Sequence, residues 1–249
     1  NITYNEKRSI ADRVPLWYKD ACIQCNQCAF VCPHATIRPF LLTDEELENA
    51  PEIVKNDVKD AVGPTVKGLK FRLQVSPRNC VGCGLCVTEC LANKTGKNAL
   101  EMVEAKSQFN QEEGATYLYK HVEYKEGKFP VTTVKGVSFL MPYMEISGAC
   151  AGCGETPYYN LLSRLFGKDM IVANATGCSS IYSGSTPLTP FVTDKNGQGV
   201  AWANSLFEDN AEFGYGMRLA TDYKLSNIAR ICVTACESEA VEPELKEIL

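Results

Sequence analysis

The stretch CIQCNQCAFVCP, residues 22–33, and the stretch CVGCGLCVTEC, residues 80–90, share one cysteine pattern. In each, four cysteines follow the spacing C-x2-C-x2-C-x3-C, which lets a tight loop deliver three thiolates to a cubane 4Fe-4S cluster while the fourth crosses to another cluster. Two such quartets predict two clusters. The first set of ligands would be Cys22, Cys25, Cys28 and Cys90, and the second set would be Cys80, Cys83, Cys86 and Cys32.

Two other uses of these cysteines stay open, although the spacing favours clusters over both. A structural zinc site takes four nitrogen or sulfur ligands, usually from pairs of cysteines rather than from overlapping quartets. Disulfides need defined separations, and neighbours three residues apart cannot all pair with acceptable geometry. The odd total of thirteen cysteines also excludes complete internal pairing. The second quartet is followed by Leu91, where the first is followed by Pro33, which affects a local turn and not the ligands.

Length and charge exclude several classes of protein. A chain of 249 residues is long enough for one large or two ordinary domains with a buried core. The net charge of −5 gives no general basic face for nucleic acid or an anionic membrane, and no apolar run reaches the length of a membrane span. Cysteines at ligand spacings without an export signal predict a reducing, cytoplasmic setting. Because the chain opens at Asn1 and stops within a predicted helix, we expect a piece of a longer polypeptide.

The region between the quartets, residues 33–79, is a long insertion. Thr43 followed by Glu46 forms a capping-box pattern that predicts a helix over Asp44–Ala50. The alternation KFRLQV predicts a strand over Lys70–Val75. The acidic run in the insertion is either a solvated face or a segment that covers the clusters or meets a partner domain.

After the second quartet, two further strands are predicted, over Ala99–Val103 and Ala115–Tyr124, with a polar loop at Ser107–Gly114 between them. We place a domain boundary near residue 124. The two histidines, His34 and His121, are each predicted to satisfy a local hydrogen bond rather than to bind metal.

The second half of the chain carries a further group of cysteines. Cys150 and Cys153 form a C-x2-C on a glycine-rich turn, and a helix is predicted to begin near Thr156 and Pro157. A short apolar strand over Met170–Ala175 leads to Cys178 at its carboxyl end. These cysteines supply three of the four ligands of a third cluster, unless Cys178 is a buried structural cysteine.

The C-terminal part is predicted to form a loop over Thr186–Pro190 and then a long helical region over Trp202–Cys236, interrupted at Gly214 and Gly216. Cys232 and Cys236 lie on one face of that helix. They are either additional metal ligands or ordinary small packing residues, and the second interpretation is favoured.

Three blocks carry a resemblance to a known family. GACAGCGETPY at 148–158, ANATGCSSIY at 173–182 and AWANSLFEDNAEFG at 201–214 closely resemble pyruvate:ferredoxin (flavodoxin) oxidoreductase, and the double quartet with its insertion looks like the ferredoxin domain of that family. The resemblance implies an α+β two-cluster ferredoxin-like domain at residues 1–124, followed at residues 125–249 by the N-terminal part of an α/β thiamine-diphosphate-binding domain.

The family is known as large homodimeric enzymes that cleave pyruvate oxidatively with coenzyme A to acetyl-CoA and carbon dioxide. Thiamine diphosphate and magnesium support the chemistry, and electrons leave through three 4Fe-4S clusters to ferredoxin or flavodoxin. By resemblance, the two quartets would hold the medial and distal clusters, and Cys150, Cys153 and Cys178 would be three ligands of the cluster nearest thiamine. Glu155 and the backbone near Cys178 are similar to residues that line the cofactor pocket. No residue of this chain is assigned a catalytic role.

The sequence also departs from the family pattern. The GDG motif of the magnesium and diphosphate site is absent, and the fourth ligand of the proximal cluster lies further downstream in the family. The resemblance therefore implies a segment that would not turn over alone, with Cys232 or Cys236 as a weaker candidate for the missing ligand. An enzyme for a related 2-oxo acid and a stand-alone polyferredoxin electron carrier are the alternatives.

Overall fold

The computed structural model describes residues 2–184 and 188–248, so part of the predicted loop over Thr186–Pro190 lies outside the described residues. The strands among the described residues are β1 Arg13–Trp17, β2 Ile37–Leu42, β3 Lys59–Asp60, β4 Lys70–Val75, β5 Leu100–Glu104, β6 Ile171–Ala175 and β7 Ala201–Ser205. The α-helices are α1 Ile2–Asn5, α2 Gln27–Phe30, α3 Asp44–Glu48, α4 Glu52–Lys55, α5 Leu85–Thr88, α6 Leu91–Lys94, α7 Gln111–His121, α8 Val134–Val137, α9 Thr156–Phe166, α10 Cys178–Gly184, α11 Asn210–Glu237 and α12 Pro243–Ile248. Short 3-10 turns cover Pro64–Val66 and Ala105–Gln108.

Strand pairing brings the two quartets together. The first quartet lies between β1 and β2 along the chain, and the second lies between β4 and β5. β1 pairs antiparallel with β5, with Trp17 opposite Leu100. β2 pairs antiparallel with β4, with Ile37 opposite Val75, and β3 adds to the other edge of β4. Because the strands that flank one quartet pair with the strands that flank the other, the two cysteine loops face one region of the core.

That core is built from the inner faces of these strands and from the cysteines themselves. Trp17, Ile37, Phe71 and Leu100 are buried in one hydrophobic cluster that also contains four quartet cysteines, namely Cys28, Cys32, Cys86 and Cys90. Trp17 is therefore a packing residue, as predicted. A second cluster on the other side of β2 includes Phe40, Val54 and Leu118 and attaches the insertion to α7.

Several local predictions are confirmed. α3 begins with the predicted capping box, in which the Thr43 hydroxyl accepts from the Glu46 backbone N–H at 3.2 Å and the Glu46 carboxylate accepts from the Thr43 N–H at 2.8 Å. β4 spans Lys70–Val75, as predicted. β5, α9 and β6 begin within one residue of their predicted starts.

The predicted strand over Ala115–Tyr124 is wrong, because this segment forms most of α7. The predicted loop over Ser107–Gly114 is wrong in part, since α7 begins at Gln111. Ala115, Leu118 and Val122 are buried, and their spacing of three and four residues is the helical one. The aromatic residues between them favour strands by propensity, and the packing of the helical face against β4 overrides that preference.

The predicted helical region over Trp202–Cys236 needs two corrections. Its first residues form β7 rather than helix. α11 then runs without interruption through Gly214 and Gly216. A Cβ atom at Gly214 would lie 3.5 Å from the Cβ of Ala173, so this glycine allows close packing of the helix on β6.

Two compact units make up the described chain. The first runs to Ile171 and also takes in Ile181–Ala201, and the second comprises Val172–Ser180 and the residues from Trp202 onward. The domain ranges 1–124 and 125–249 stay a prediction about the parent protein. In the part of the chain that the structure describes, no helix combines the length and apolarity needed to cross a membrane.

Candidate metal centre

Two cavities in the first unit are lined by the quartet cysteines. The cysteines that line the first are Cys22, Cys25, Cys28 and Cys90. The cysteines that line the second are Cys32, Cys80, Cys83 and Cys86. Each cavity thus collects three cysteines from one loop and one from the other. All thirteen cysteines lie within the described residues and are free, so none forms a disulfide.

The two cysteine loops adopt the same backbone conformation. Gln24 and Gly82 occupy equivalent positions, two residues after the first cysteine of each quartet, and both have positive φ angles, of 57° and 71°. In this left-handed conformation the Gln24 N–H donates to the sulfur of Cys22 at 3.4 Å, and the Gly82 N–H donates to the sulfur of Cys80 at 3.4 Å. A backbone N–H aimed at a ligand sulfur stabilises negative charge on it.

Burial dominates the electrostatics of the thiols. It raises the pKa of Cys80 to about 12 and also raises the pKa of Cys22, Cys28 and Cys86. Neighbouring thiolates raise these pKa values further, because several like charges would share one small space. Such sulfurs hold their protons unless a cation replaces them, which is the situation that binding of iron would relieve.

The two cavities are close neighbours. Helix α2, which carries Cys28, packs against α5, which carries Cys86. After burial, the charge of Cys86 is the largest influence that raises the pKa of Cys28. Cysteines of both cavities also belong to one hydrophobic cluster. A group bound in one cavity would therefore be separated from a group bound in the other only by side chains that pack against each other.

The residues around the first cavity fit a cluster that contains acceptor sulfurs. The indole N–H of Trp17, which lines this cavity, faces the Cys22 sulfur and, as a donor, opposes the burial that raises the pKa of that thiol. A donor N–H aimed at a ligand sulfur stabilises negative charge on it. Over residues 2–184 and 188–248, no three or more His, Cys, Asp or Glu side chains are grouped as a single metal ion would need.

The Cys150–Cys153 turn lies against the second cysteine loop. The Cys153 N–H donates to the Cys150 carbonyl at 3.0 Å, and Gly152 has a φ angle of 73°. A Cβ atom at Gly152 would lie 3.8 Å from the Cβ of Cys83 and 4.0 Å from a methyl carbon of Leu85. Cys150 is exposed and Cys153 is half-buried. The second cavity therefore lies beside the turn that carries Cys150 and Cys153.

His34 makes a hydrogen bond, but its partner Ser147 lies 113 residues away along the chain, so the predicted bond is tertiary and not local. Its Nδ1 lies 3.1 Å from the carbonyl oxygen of Ser147, and its ring lines the second cavity. Burial lowers the pKa of His34, so the neutral form is favoured. His121 is exposed and lies beside the ring of Tyr117.

The remaining predicted site residues lie on the second half of the chain. Cys178 is exposed at the first residue of α10, which excludes the buried alternative, and Cys232 and Cys236 lie on α11 in the second unit. Glu155 precedes α9, and its carboxylate is one of the groups that, after burial, raise the pKa of Tyr182. The role predicted for Glu155 at a cofactor pocket stays a prediction.

Sequence reasoning missed the roles of three residues in or beside the first cysteine loop. Gln24 is held by its side chain, whose amide donates to the Asp60 carbonyl at 2.7 Å and accepts from the Val62 N–H at 2.8 Å. Lys59, on β3, donates to the Cys22 carbonyl, and the backbone carbonyl of Lys135, on α8, accepts from the Asn26 side chain. Alignment of the two quartets places Gln24 opposite Gly82 and would have indicated its positive φ angle. No sequence signal indicates the lysines.

Comparison with known proteins agrees with this site. Residues 21–94 match the family model of the 4Fe-4S dicluster domain. A protein of Moorella thermoacetica named pyruvate:ferredoxin oxidoreductase is 49% identical over 236 residues, which are 95% of this chain and 20% of that protein. The pyruvate-flavodoxin oxidoreductase of Klebsiella pneumoniae is 48% identical over 244 residues, 98% of this chain and 20% of its own length.

A third relative, the mitochondrial pyruvate dehydrogenase (NADP+) of Euglena gracilis, is 43% identical over 247 residues, 99% of this chain and 13% of that protein. The chain thus spans about a fifth or less of the length of the curated relatives described here. It is homologous, over nearly all its residues, to one segment of these larger proteins.

Proposed function

We propose that this chain is a segment of a pyruvate:ferredoxin (flavodoxin) oxidoreductase and that it conducts electrons from the oxidation of pyruvate towards a carrier protein. The observation that carries the proposal is the pair of cavities, each lined by three cysteines of one quartet and the fourth of the other. The names of the relatives support the same conclusion.

The eight quartet cysteines would hold two 4Fe-4S clusters. Such clusters accept and pass on single electrons. The chain's own contribution is to bury the ligand sulfurs, to aim backbone N–H groups at Cys22 and Cys80, and to keep the two centres adjacent. Apolar surroundings and N–H donors are the means by which a protein sets a cluster's reduction potential.

The contact between Gly152 and Cys83 supports an order for electron transfer. Cys150, Cys153 and Cys178 would provide three ligands of a proximal cluster, and the turn that carries the first two packs on the second cysteine loop. In this order the cluster of the second cavity is medial and the cluster of the first cavity is distal. The first loop reaches the surface at Ile23, whose side chain is 47% exposed, so electrons would leave the chain there.

The thiamine chemistry belongs to the parent enzyme. By the resemblance, the parent enzyme would be a cytoplasmic homodimer that acts on pyruvate and coenzyme A and binds thiamine diphosphate and magnesium. Glu155 and Cys178 would contribute one side of the cofactor pocket. The cofactor's chemistry would depend on residues that the remaining domains of the parent enzyme supply.

The proposal is tested on the complete polypeptide that contains this chain. After anaerobic purification, pyruvate with coenzyme A should reduce the clusters and then ferredoxin or flavodoxin, with acetyl-CoA and carbon dioxide as products. Iron analysis of the 249-residue chain should give about eight atoms from the two quartets. Fewer than about four iron atoms, or no reduction by any 2-oxo acid, would overturn the proposal.

A related 2-oxo acid as substrate is the nearer alternative, and reduction by that acid but not by pyruvate would favour it. A stand-alone polyferredoxin is less favoured, since each relative described here is about five times as long as the match or longer. Clusters that respond to an external carrier but never to a 2-oxo acid would favour this second alternative.

A further inference from the structure

An ammonium group is anchored on the backbone of the first cysteine loop. Lys59, on β3, donates from its Nζ to the carbonyl oxygen of Cys22 at 3.1 Å and to that of Lys19 at 2.7 Å. The side chain is half-buried, so water screens its charge only in part.

A second ammonium group approaches the same loop from α8. Lys135 donates from its Nζ to the Val62 carbonyl at 2.7 Å, and its own carbonyl accepts from the side chain of Asn26 at 3.3 Å. The charge also lies 4.4 Å from the ring centre of Phe129. Because Asn26 follows Cys25 directly in the chain, its hydrogen bond to the Lys135 carbonyl places Lys135 beside the first cysteine loop.

The second loop is packed differently at the equivalent position. Gly82 corresponds to Gln24, and a Cβ atom at Gly82 would lie 2.9 Å from the backbone carbonyl oxygen of Arg13. At Gln24 in the first loop, the side chain fills this position and donates to the Asp60 carbonyl, while Lys59 contacts the loop at the Cys22 carbonyl. The buried guanidinium of Arg38 follows Ile37, which lines the second cavity, and its charge is paired with Glu145. Arg164, on α9, is half-buried.

On the basis of the proposed function, we propose that Lys59 and Lys135 are positioning residues that stabilise the reduced cluster in the first cavity and so make it the terminal electron acceptor of this chain. Reduction moves one electron from the neighbouring cluster, which is oxidised, and adds one negative charge to the first. A half-buried cation nearby favours that added charge. The insertion thereby gains a role, because its segment 59–62 supplies Lys59. The same segment accepts hydrogen bonds from the Gln24 and Lys135 side chains at the Asp60 and Val62 carbonyls and donates one to Gln24 from the Val62 N–H.

The test is a redox titration of the cluster-loaded protein followed by low-temperature EPR. A Cys25→Ser variant identifies the signal of the first cavity. In Lys59→Met and in Lys135→Met, the ratio of reduced to oxidised first cluster at a fixed potential should fall about three- to tenfold, while the second signal stays unchanged. A tenfold fall corresponds to about 59 mV for one electron.

Two controls separate charge from structure. Lys67→Met removes an exposed lysine of the same insertion and should shift neither signal. Lys59→Arg retains the charge and should restore the ratio lost in Lys59→Met. Titrations of Lys59→Met and Lys135→Met that match the parent, or equal shifts of both signals, would overturn the inference. So would a changed KM for the carrier with an unchanged titration, which would indicate docking lysines. Failure of the parent to assemble clusters would instead overturn the proposed function on which this inference rests.

Discussion

The guanidinium of Arg38 lies 2.9 Å from the carboxylate of Glu145 in the interior of the first unit, where the two side chains are only 1% and 9% exposed. Arg38, on β2, is the residue after Ile37, which lines the second cavity. Its guanidinium also donates to the Tyr124 hydroxyl at 3.0 Å. The ion pair therefore joins the segment behind the cysteine loops to residues beyond the predicted boundary at 124. A ferredoxin-like part cut at that boundary would leave a buried arginine without its carboxylate.

We predict that Glu145→Ala lowers the free energy of unfolding by about 3–5 kcal/mol, because it leaves the buried Arg38 guanidinium unpaired. The matched control is Glu123→Ala, which breaks the Lys195–Glu123 pair, whose side chains are 75% exposed or more. An exposed pair contributes about 0–1 kcal/mol. Urea unfolding of both variants measures the difference, and similar losses would contradict the structural role of the Arg38 pair.

In the proposed arrangement each cluster takes three cysteines from one quartet and one from the other, and replacing one cysteine at a time tests this. Cys90→Ser should alter the same EPR signal as Cys25→Ser, since both line the first cavity, although Cys90 belongs to the other quartet. Cys32→Ser should alter the same signal as Cys83→Ser. Cys236→Ser, in an exposed residue of α11, should alter neither quartet signal. Pairing of Cys90 with Cys83 instead would show that each quartet binds its own cluster.

Removal of iron should reveal that the Cys80 thiol is an unusually weak acid. Burial raises the pKa of this thiol from 9.0 to about 12. Because the folded-state pKa is above the unfolded one, this thiol's contribution to stability is present below pH 9 and is lost as the pH rises from 9 to about 12. In the iron-free folded protein, alkylation of Cys80, followed by mass spectrometry, should therefore rise towards pH 12 rather than near pH 9. A midpoint near the ordinary value would contradict the burial of this sulfur.

Local sequence patterns predicted the elements whose determinants are local. The capping box at Thr43 and the alternation over Lys70–Val75 depend on residues within one turn or one strand, and both form as predicted. α7 did not follow its pattern, because the aromatic residues between Ala115 and Val122 have a strand preference that burial of a helical face outweighs.

In the candidate site too, the sequence predicted what depends on local spacing and missed what depends on tertiary structure. The spacing of the quartets predicted which residues could be ligands, and the pairing of β1 with β5 and β2 with β4 brings those residues to two shared cavities. Lys59 lies 37 residues from Cys22 along the chain, and only the addition of β3 to β4 carries it to that loop. Such a contact depends on tertiary structure and leaves no local pattern.

A matched pair of glycines in the second loop gives the last prediction. Gly82 and Gly84 both have positive φ angles, of 71° and 77°, so an alanine at either position pays the same backbone strain of about 1–2 kcal/mol. Only at Gly82 would the new Cβ meet the backbone, 2.9 Å from the Arg13 carbonyl oxygen, whereas nothing lies within 4 Å at Gly84.

Gly82→Ala should therefore displace either β1 or the second loop, and the cluster of the second cavity should be lost. Gly84→Ala should keep both clusters with a small loss of stability. Iron content and EPR of the two variants measure this, with about four iron atoms expected in the first case and about eight in the second. The first loop shows that strain alone does not decide the outcome, since Gln24 holds a positive φ angle while its side chain bonds Asp60 and Val62. Equal iron content in the two alanine variants would mean that contact with Arg13 does not constrain the second loop.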